Sequence, residues 1–357
     1  MKYNLLPNTD IKVSRICLGT MTYGRQNTET DGHQQIDYAL ERGVNFIDTA
    51  EMYPVPAEAT RYGNTERIIG SWIKKSNKRD SIVLATKIAG PGDYTKHIRT
   101  TGFEKTGLIE AVDSSLERLQ TDYIDLYQLH WPERFTNTFG KRGYKYYENE
   151  KWKDNFNEVL HTLNEIIKAG KIRHIGLSNE NPWGTMRFLE ESKNELPRMI
   201  TIQNPYSLLN RQFEVGNAEV SMQENIGLLA YSPLGCGVLS GKYIEKKDSP
   251  NSRLNLFKRF IRYSSNQSTE AAKLYLEIAN KHNLSLTSMA LAFINQQPFV
   301  TSNIIGATNL DQLKENIDSI YVSLSDNILR EIEKVHEIIP DPACLLYTSD
   351  AADEEDS

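Results

Sequence analysis

Cysteine is scarce in this chain, which has three cysteines among 357 residues. Cys17, Cys236 and Cys344 form no CxxC pair and cannot build a disulfide framework, so the sequence fits a reducing compartment. We therefore predict a cytoplasmic protein. The seven histidines are scattered and show neither HExxH nor paired-cysteine spacing, so we expect no metal site.

Long apolar runs and a strong excess of one charge are also missing. The first residues, MKYNLLPNTD, lack the apolar run of a signal peptide, and no stretch reaches the roughly 20 apolar residues of a membrane-spanning helix. The net charge is −6, which indicates neither a nucleic-acid partner nor an anionic membrane surface as a partner. The oligomeric state stays open.

Three common active-site motifs are absent or incomplete. GCGVLSG follows a predicted strand and resembles the GxGxxG fingerprint of a Rossmann fold, but Ser240 stands where the last glycine is required. No acidic residue is suitably placed at a following strand. The chain also has no P-loop and no GxSxG turn of a serine hydrolase. These gaps disfavour all three classes of protein.

The sequence does contain a repeated unit, in which a short apolar strand is followed by an amphipathic helix. Each strand is apolar enough to be buried on both faces, as parallel strands are. The eight predicted strands are Ile16–Thr20, Phe46–Ala50, Ile82–Lys87, Ile124–His130, His174–Asn179, Thr201–Tyr206, Leu228–Pro233 and Asn303–Thr308. Eight such units predict an α/β fold, a (β/α)8 TIM barrel.

Several boundaries of the predicted barrel can be read from local residues. KYNLLPNTDIKVS predicts an N-terminal β-hairpin that turns at Asn8, and SDNILREIEKVHEI predicts a C-terminal extra helix. Asn64 is a candidate N-cap for the helix NTERIIGSWIKKS. Gly170 is a natural C′ residue for a different helix, the one in NFNEVLHTLNEIIKAGKI. Two loops are long, one after His130 and one between Gly235 and Asn266, and long loops in a compact domain are usually functional or mobile.

The composition changes abruptly at the C-terminus. After HEIIPDPA the chain continues as CLLYTSDAADEEDS, which resembles the translation of a sequencing-library adapter ending in acidic residues. We expect Cys344–Ser357 to be a non-native or disordered tail, with a genuine acidic tail as the alternative. Residues 1–343 are then a single barrel domain.

Polar residues end three consecutive predicted strands, at the face where barrel enzymes have their active sites. Asp48, Lys87 and His130 end the second, third and fourth strands, and Tyr53 follows Asp48 by about one turn. We expect Lys87 to pair with Asp48, because a buried carboxylate needs a compensating partner. The positive charge of Lys87 is then expected to lower the pKa of Tyr53 below about 10, so that Tyr53 can donate a proton. His130 would orient the same substrate oxygen.

A different chemistry for the same residues is a barrel isomerase or aldolase in which Lys87 forms a Schiff base. A Schiff-base lysine must be neutral, whereas pairing with Asp48 keeps Lys87 charged. The Asp48–Lys87 pair therefore disfavours this alternative.

The motifs at the strand ends resemble those of the aldo-keto reductase family. They are LGTMTYG, NFIDTAEMYP, LATK, YQLHWP, GLSN, QNPYSLLNR, LLAYSPLGCGVLSGKY and IIGATNLDQLKENI, and they extend over roughly Met1–Ala343. HWPERFTNTFGKRGY, QNPYSLLNRQFEVG and LFKRFIRYS are similar in particular to the bacterial Tas-type branch. The resemblance implies reduction of aldehydes or ketones to alcohols by hydride transfer from C4 of the nicotinamide of NADP(H). It also implies that Asp48, Tyr53, Lys87 and His130 are the catalytic residues, with Tyr53 as proton donor.

The resemblance also implies a set of residues that bind NADP(H). Gly306 and Thr308 lie where a helix begins, a natural phosphate site, and Lys242 and Arg253 are the cations available to the phosphates. The remaining implied cofactor residues are Gln312, Glu315 and Asn316 for the adenosine, Ser232, Pro233, Leu234, Gly235 and Cys236 for the pyrophosphate and ribose, Ser178, Asn179 and Gln203 for the carboxamide, Tyr231 for stacking on the ring, and Thr20, Met21, Gln26 and Asp48 for the cleft.

The substrate wall is expected to come from Tyr23, Trp131 and the loop Tyr144–Trp152, with Tyr53 and His130 at the reacting carbonyl. The loop aromatics are equally compatible with a cluster that folds the loop or with an oligomer contact. An alternative function is an NADP(H)-binding sensor or regulatory protein with negligible turnover, as in the barrels that serve as potassium-channel β subunits. The complete set of four catalytic residues favours turnover.

Overall fold

Eight parallel strands form a closed barrel at the centre of the computed structural model, which describes residues 1–193, 195–244 and 250–346. The barrel strands follow one another around the barrel in chain order. The strands of the described chain are β1 (Tyr3–Leu5), β2 (Lys12–Ser14), β3 (Ile16–Gly19), β4 (Phe46–Asp48), β5 (Val83–Ile88), β6 (Ile124–Leu129), β7 (Lys141–Arg142), β8 (Ile172–Ser178), β9 (Met199–Pro205), β10 (Gly227–Tyr231), β11 (Val300–Ile305) and β12 (Leu345–Leu346). The barrel comprises β3–β6 and β8–β11. All eight predicted barrel strands are therefore confirmed.

Helices cover the outside of the barrel. They are α1 (Glu29–Glu41), α2 (Asn64–Ser76), α3 (Lys105–Leu119), α4 (Phe156–Lys168), α5 (Pro182–Glu191), α6 (Asn217–Gln223), α7 (Arg253–Leu256), α8 (Asn266–Lys281), α9 (Leu286–Asn295), α10 (Leu310–Asp318) and α11 (Asp326–Ile338). Every residue of β4, β5, β6 and β11 is buried, because one face of each strand lines the barrel interior and the other packs on helices. Within the described residues, no helix is long and apolar enough to cross a membrane.

The two helix boundaries predicted from single residues have different outcomes. Helix α4 ends at Lys168, and Gly170 follows in the left-handed conformation with φ of 76°, as predicted for a C′ glycine. Asn64 is the first residue of α2 and not its N-cap, so that prediction is wrong. Gly63 occupies the cap position with φ of 72°, and no side chain caps the helix there.

The N-terminal hairpin lies against the amino-terminal end of the barrel. Strands β1 and β2 pair antiparallel, and Asn8 has φ of 58° in the turn between them. Leu6 and Val13 belong to the same apolar cluster as barrel residues such as Phe46. The hairpin therefore closes the apolar interior at this end, and helix α11 follows the eighth unit, as the sequence predicted.

The predicted tail lies partly within the described chain. Cys344 is buried, and Leu345–Leu346 pair in parallel with Lys141–Arg142 of the loop that follows β6. Residues 347–357 of the predicted tail lie outside the described residues. The boundary between residues 343 and 344 stays a prediction.

Candidate active site

The ends of β4, β5 and β6 bring the four predicted catalytic residues together. Asp48 is the last residue of β4, Lys87 is the penultimate residue of β5, and His130 directly follows β6. Tyr53 reaches the same place from the loop after β4, which turns back so that the Tyr53 amide donates to the Ala50 carbonyl at 3.1 Å. The parallel direction of the strands places all four at one rim.

Asp48 and Lys87 form a buried ion pair at the centre of the site. The Lys87 Nζ donates to Asp48 Oδ2 at 2.7 Å and to the Thr49 carbonyl at 2.6 Å. Lys87 is 0% exposed and Asp48 is 2% exposed, so each charge depends on the other for compensation. This pair is the arrangement that the sequence predicted.

The second carboxylate oxygen of Asp48 is held by side-chain amides from β9 and β6. Gln203 Nε2 donates to Asp48 Oδ1 at 2.8 Å, and Gln128 Nε2 lies 3.3 Å from the same oxygen. Gln203, which the resemblance assigned to a carboxamide, thus contacts Asp48 in this structure. Gln128 was missed by the sequence analysis, although an amide two residues before His130 in the apolar strand IDLYQL was the available signal.

The Tyr53 ring lies between Lys87 and His130. The Lys87 Nζ is 5.1 Å from the centroid of the Tyr53 ring. The rings of Tyr53 and His130 meet edge to face, with centroids 5.8 Å apart. A cation, a phenol and an imidazole therefore share one small volume at the rim.

The pKa of Tyr53 is shifted in the direction opposite to the one expected from sequence. Burial raises the pKa of Tyr53 well above its usual value, the Asp48 carboxylate raises it further, and Arg253 acts in the opposite direction. The expected lowering by Lys87 is wrong, because the Lys87 charge is neutralised by Asp48 at 2.7 Å and burial then decides the balance. Tyr53 is consequently a neutral phenol throughout the physiological range.

His130 is also uncharged in its surroundings. Burial lowers the pKa of His130 well below its usual value, and the nearby Lys87 lowers it further. Its Nδ1 is buried and finds no hydrogen-bond partner within the described part of the chain. The His130 backbone is fixed on both sides, since its amide donates to the Ile88 carbonyl at 3.1 Å and its own carbonyl accepts from Asn179 Nδ2 at 2.9 Å.

The aromatic residues predicted as a substrate wall are divided between different places. Trp131 packs on His130 with centroids 5.1 Å apart, and Phe139 packs on Trp131 with centroids 5.8 Å apart. Tyr23 is fully buried, and its hydroxyl donates to Gln35 of α1 at 3.1 Å, so its side chain points into the barrel-helix interface and not into the cleft. Phe139 is the aromatic residue that sequence reasoning missed.

The aromatics of the loop Tyr144–Trp152 are exposed or pack on other aromatic residues. Tyr144 and Tyr146 are exposed, and the ring of Tyr147 packs on Phe135 with centroids 4.2 Å apart. Trp152 packs against Phe156 at the start of α4. These contacts favour the alternative in which the aromatics fold the loop.

The polar residues predicted for the carboxamide form a chain of hydrogen bonds beside His130. Ser178 Oγ donates to the Gln203 carbonyl at 2.9 Å, and the Tyr231 hydroxyl donates to Asn179 Oδ1 at 2.6 Å. The chain continues to His130 through the Asn179 amide. The structure therefore joins these four predicted cofactor residues to His130 by hydrogen bonds.

The loop after β10 offers backbone geometry that suits an anion. Ser232, Gly235, Cys236 and Gly237 have positive φ values of 55°, 52°, 54° and 93°, in the segment that also contains Pro233 and Leu234. Turns of this kind can present backbone N–H groups to an anion, and here the Gly235 and Gly237 amides donate to the Ser232 and Leu234 carbonyls at 2.9 Å within the turn itself. The Lys242 Nζ approaches this turn, at 2.9 Å from the position of a Cβ on Gly237.

Arg253 belongs to the same cleft. Burial raises the pKa of the Cys236 thiol, and the guanidinium of Arg253 is the strongest opposing influence on it. Arg253 also acts on the pKa of Tyr53, so its charge is within electrostatic range of both Cys236 and Tyr53. Two cations beside this turn therefore fit a phosphate-bearing ligand.

The loop before α10 is open to solvent. Gly306, Thr308 and Gln312 are exposed, and a Cβ on Gly306 would meet no atom within 4 Å. The Gln312 Oε1 accepts from the Thr308 amide at 3.0 Å, and Asn316 Nδ2 donates to the Gly306 carbonyl at 3.1 Å. This open helix N-terminus fits a ligand that approaches along the rim.

The remaining predicted cofactor residues have separate environments. Glu315 accepts from Ser285 Oγ at 2.7 Å and thus faces the start of α9. Thr20 is buried and donates to the Asp48 carbonyl at 2.8 Å, while Met21 packs against the apolar cluster that contains Tyr53. Gln26 Nε2 lies 3.4 Å from the Asn251 carbonyl, across the cleft.

The chain resembles known proteins over nearly its whole length. The model described as "Aldo/keto reductase family" matches residues 15–337. Protein tas of Escherichia coli is 49% identical over 351 residues, which cover 96% of this chain and 100% of that protein. An aldo-keto reductase of Babesia bovis is 38% identical over 278 residues, which cover 73% of this chain and 98% of that protein. Norsolorinic acid reductase B of Dothistroma septosporum is 27% identical over 349 residues, which cover 93% of this chain and 80% of that protein. With the barrel and the rim described above, these matches show that the chain belongs to the aldo/keto reductase family.

Proposed function

We propose that the protein is a cytoplasmic, NADP(H)-dependent reductase that converts aldehydes or ketones to alcohols, with Tyr53 as the proton donor. The observation that carries the proposal is the cluster of a neutral phenol, a buried Lys87–Asp48 pair and a neutral imidazole at one rim. Carbonyl reduction requires a proton donor at the oxygen, and this cluster supplies one. Among the relatives, the protein of D. septosporum is named as a reductase of norsolorinic acid.

The proposed cofactor residues divide into four groups along the rim. Ser178, Asn179, Gln203 and Tyr231 would hold the nicotinamide end. Ser232–Cys236, with Lys242 and Arg253, would hold the pyrophosphate and the 2′-phosphate that distinguishes NADP from NAD. Near the start of α10, Gly306 and Thr308 would contact a phosphate and Gln312, Glu315 and Asn316 would hold the adenosine. Thr20, Met21, Gln26 and Asp48 would line the cleft. When bound, the nicotinamide supplies the hydride for the carbonyl carbon.

Tyr53 supplies the proton for the carbonyl oxygen. A phenol with a raised pKa remains protonated, and the alkoxide that forms on reduction is a stronger base than tyrosinate, so the proton moves from Tyr53 Oη to the substrate oxygen. Lys87 then lies 5.1 Å from the ring on which the negative charge remains. Its attraction to that charge offsets part of the cost of burial and part of the repulsion from Asp48, which together keep the pKa of Tyr53 raised.

His130 orients the carbonyl before the proton moves. A neutral imidazole donates a hydrogen bond from one ring nitrogen without carrying a charge. Trp131 and Phe139 form an aromatic wall beside it. The proposed substrate side therefore consists of His130, Tyr53, Trp131 and Phe139.

The test is NADPH oxidation by wild type and by Tyr53→Phe with a panel of small aldehydes and ketones. We expect kcat to fall by about 10²- to 10⁴-fold in the variant, because general acid catalysis contributes about that much. NADPH binding, followed by fluorescence, should be unchanged. Equal rates in the two proteins would exclude Tyr53 as the donor. Tight NADPH binding without turnover in either protein would favour the sensor.

A further inference from the structure

The loop that carries Tyr53 is attached to β5 by more than the Lys87–Asp48 pair. We define the Tyr53 loop as residues 49–53. The Thr49 amide donates to the Ala85 carbonyl at 2.9 Å, and the Glu51 amide donates to the Lys87 carbonyl at 3.2 Å. The loop therefore continues the pairing of β4 with β5 past the end of β4.

Glu51 is the charged side chain of the Tyr53 loop. It is 0% exposed, and its Oε1 accepts from the Ala89 amide at 2.6 Å. Both terminal nitrogens of Arg99 donate to its carboxylate, with 2.9 Å between Arg99 Nη2 and Glu51 Oε2. A bidentate contact of this kind fixes the relative orientation of the two side chains as well as the distance between them. Glu51 thus joins the loop to the residue two places beyond Lys87.

Arg99 brings a third segment to the same place. The residues before it pack on Tyr53, because Tyr94 and Ile98 lie against the apolar cluster of Ala50, Met52, Tyr53 and Ala89. The Tyr94 hydroxyl also accepts from the Ala57 amide at 2.6 Å, on the far side of the Tyr53 loop. The Glu51–Arg99 pair therefore lies where β5, the Tyr53 loop and residues 94–99 meet.

We propose that Glu51 and Arg99 are positioning residues that set the place of the Tyr53 hydroxyl relative to Lys87. A buried ion pair contributes little net stability, but it penalises any displacement that separates the charges. The catalytic part of this inference rests on the proposed function, whereas the geometric part concerns Tyr53 alone. Neither residue touches the reacting atoms in this assignment.

A second buried pair in the same protein provides a matched control. Glu66 of α2 is also 0% exposed, and Arg118 Nε of α3 donates to its Oε2 at 2.6 Å. Its other oxygen accepts from Thr86 Oγ1 at 2.6 Å, on β5 next to Lys87. Within the described residues, the hydrogen bonds of Glu66 do not include the Tyr53 loop. Both glutamates are thus buried, pair with an arginine and accept a hydrogen bond from β5 or the residue directly after it. They differ in that only Glu51 belongs to the Tyr53 loop.

The experiment compares Glu51→Gln with Glu66→Gln. Each change leaves a largely buried arginine, 13% exposed for Arg99 and 8% for Arg118, without its carboxylate, so both variants should unfold at lower denaturant concentration than wild type. We expect kcat to fall about 100-fold in Glu51→Gln, with KM for NADPH within about twofold, because a displacement of about 1 Å costs about that much. The solvent deuterium isotope effect on kcat should rise, since proton transfer becomes slower. Glu66→Gln should show neither change.

A second readout needs no turnover. In protein labelled with ¹³C at the ring carbon that bears the hydroxyl, the Tyr53 signal is identified among the 18 tyrosines by its loss in Tyr53→Phe. We expect this signal to shift in Glu51→Gln and to keep its position in Glu66→Gln. If wild type has no reductase activity, the proposed function fails, and this signal still decides whether Glu51 positions Tyr53.

Equal losses of kcat in the two glutamine variants, or an unmoved Tyr53 signal in Glu51→Gln, would overturn the inference. Arg99→Lys gives the same test if Glu51→Gln does not fold, because it keeps a cation beside Glu51 and removes the bidentate contact. We expect a shifted Tyr53 signal and a kcat lower by about tenfold in that variant. A wild-type signal and kcat in Arg99→Lys would also overturn it.

Discussion

The half of the rim formed by β4, β5 and β6 holds its functional groups differently from the half formed by β10 and β11. In the first half the groups are buried side chains that hold one another, as in the pair of Lys87 and Asp48. In the second half most of the groups are exposed or partly exposed, although Pro233, Gly235 and Asn316 are buried, and the backbone of Ser232 to Gly237 depends on left-handed residues. Proton transfer needs fixed distances, whereas ligand binding needs an accessible surface.

This difference predicts how variants should divide. Changes in the first half should lower kcat while leaving NADPH affinity in place. Changes in the second half should weaken NADPH binding while leaving the chemical step in place. A change in the first half that weakens NADPH binding, or a change in the second half that slows the chemical step, would show that the two halves are coupled.

The largest effect is expected for Lys87→Met. Removing the amine leaves the Asp48 carboxylate buried without its cation, which costs about 3–5 kcal/mol in the free energy of unfolding. It also removes the charge beside Tyr53, so kcat should fall by at least about 100-fold. Denaturant unfolding and steady-state kinetics measure the two effects separately.

The control is the double variant Asp48→Asn with Lys87→Met. It removes both charges, so most of the stability lost in Lys87→Met should return, because no unpaired charge remains. The activity should stay low. Recovery of kcat together with stability would mean that the Lys87 charge acts only by holding the fold.

The pH dependence should differ between the two directions of the reaction. In the proposed mechanism reduction needs the Tyr53 phenol, and because the pKa of Tyr53 is raised, kcat for reduction should not fall up to about pH 10. The pKa of His130 is lowered, so no change should occur near its usual value of about 6.5. Oxidation of an alcohol needs tyrosinate, so its rate should rise about tenfold per pH unit below the raised pKa.

The measurement uses a substrate and a product alcohol without ionisable groups, followed in both directions over the same buffers. A reduction rate that falls with a midpoint near pH 7 would mean that Tyr53 loses its proton there. That result would agree with the lowered pKa of Tyr53 that the sequence suggested, and it would contradict the raised pKa that follows from burial.

In the second half of the rim, Arg253→Ala should weaken NADPH binding about 10- to 100-fold, the value of a charge-assisted hydrogen bond. NADH lacks the 2′-phosphate and should lose less affinity, so the ratio of the two dissociation constants is the quantity to measure. Arg173→Ala is the control, because Arg173 pairs with Asp125 at 2.7 Å near the start of β8, and Arg79 remains as a partner of Asp125. An unchanged ratio in Arg253→Ala would remove Arg253 from the proposed phosphate site.

The smallest effect is expected for Gly235→Ala compared with Gly170→Ala. Both glycines have positive φ, so each alanine costs about 1 kcal/mol in the free energy of unfolding. A Cβ on Gly235 would also lie 3.0 Å from Tyr263 Cδ1, whereas a Cβ on Gly170 would meet no atom within 4 Å. NADPH affinity should therefore fall about fivefold in Gly235→Ala alone, as measured by fluorescence titration.

The sequence predicted the barrel well because each strand carries its own signal. Eight short apolar segments separated by amphipathic helices have few alternative packings, and the bounds of the strands agree to within a few residues. The pairing of Asp48 with Lys87 was also predictable, since buried charges need partners and both residues end neighbouring strands. Topology and charge compensation are therefore accessible from sequence.

The pKa of Tyr53 and the role of Tyr23 were not accessible in the same way. The pKa depends on how completely Asp48 neutralises Lys87 and on how much water reaches the phenol, and neither quantity has a sequence signal. Tyr23 lies in the motif LGTMTYG beside the rim, but a turn directs its hydroxyl to Gln35. The direction of a side chain after a strand end depends on loop conformation, which residue identity specifies weakly.

The hydrogen bond between Gln203 and Asp48 joins residues 155 positions apart. Contacts between residues so distant in sequence form late in folding, because closing a long loop costs conformational entropy. A chain that has formed β4 to β6 already carries Asp48, Tyr53, Lys87 and His130, yet the closer of the two amides at the carboxylate, that of Gln203, arrives only with β9. Reductase activity during refolding should therefore report closure of the barrel and return later than the helical signal.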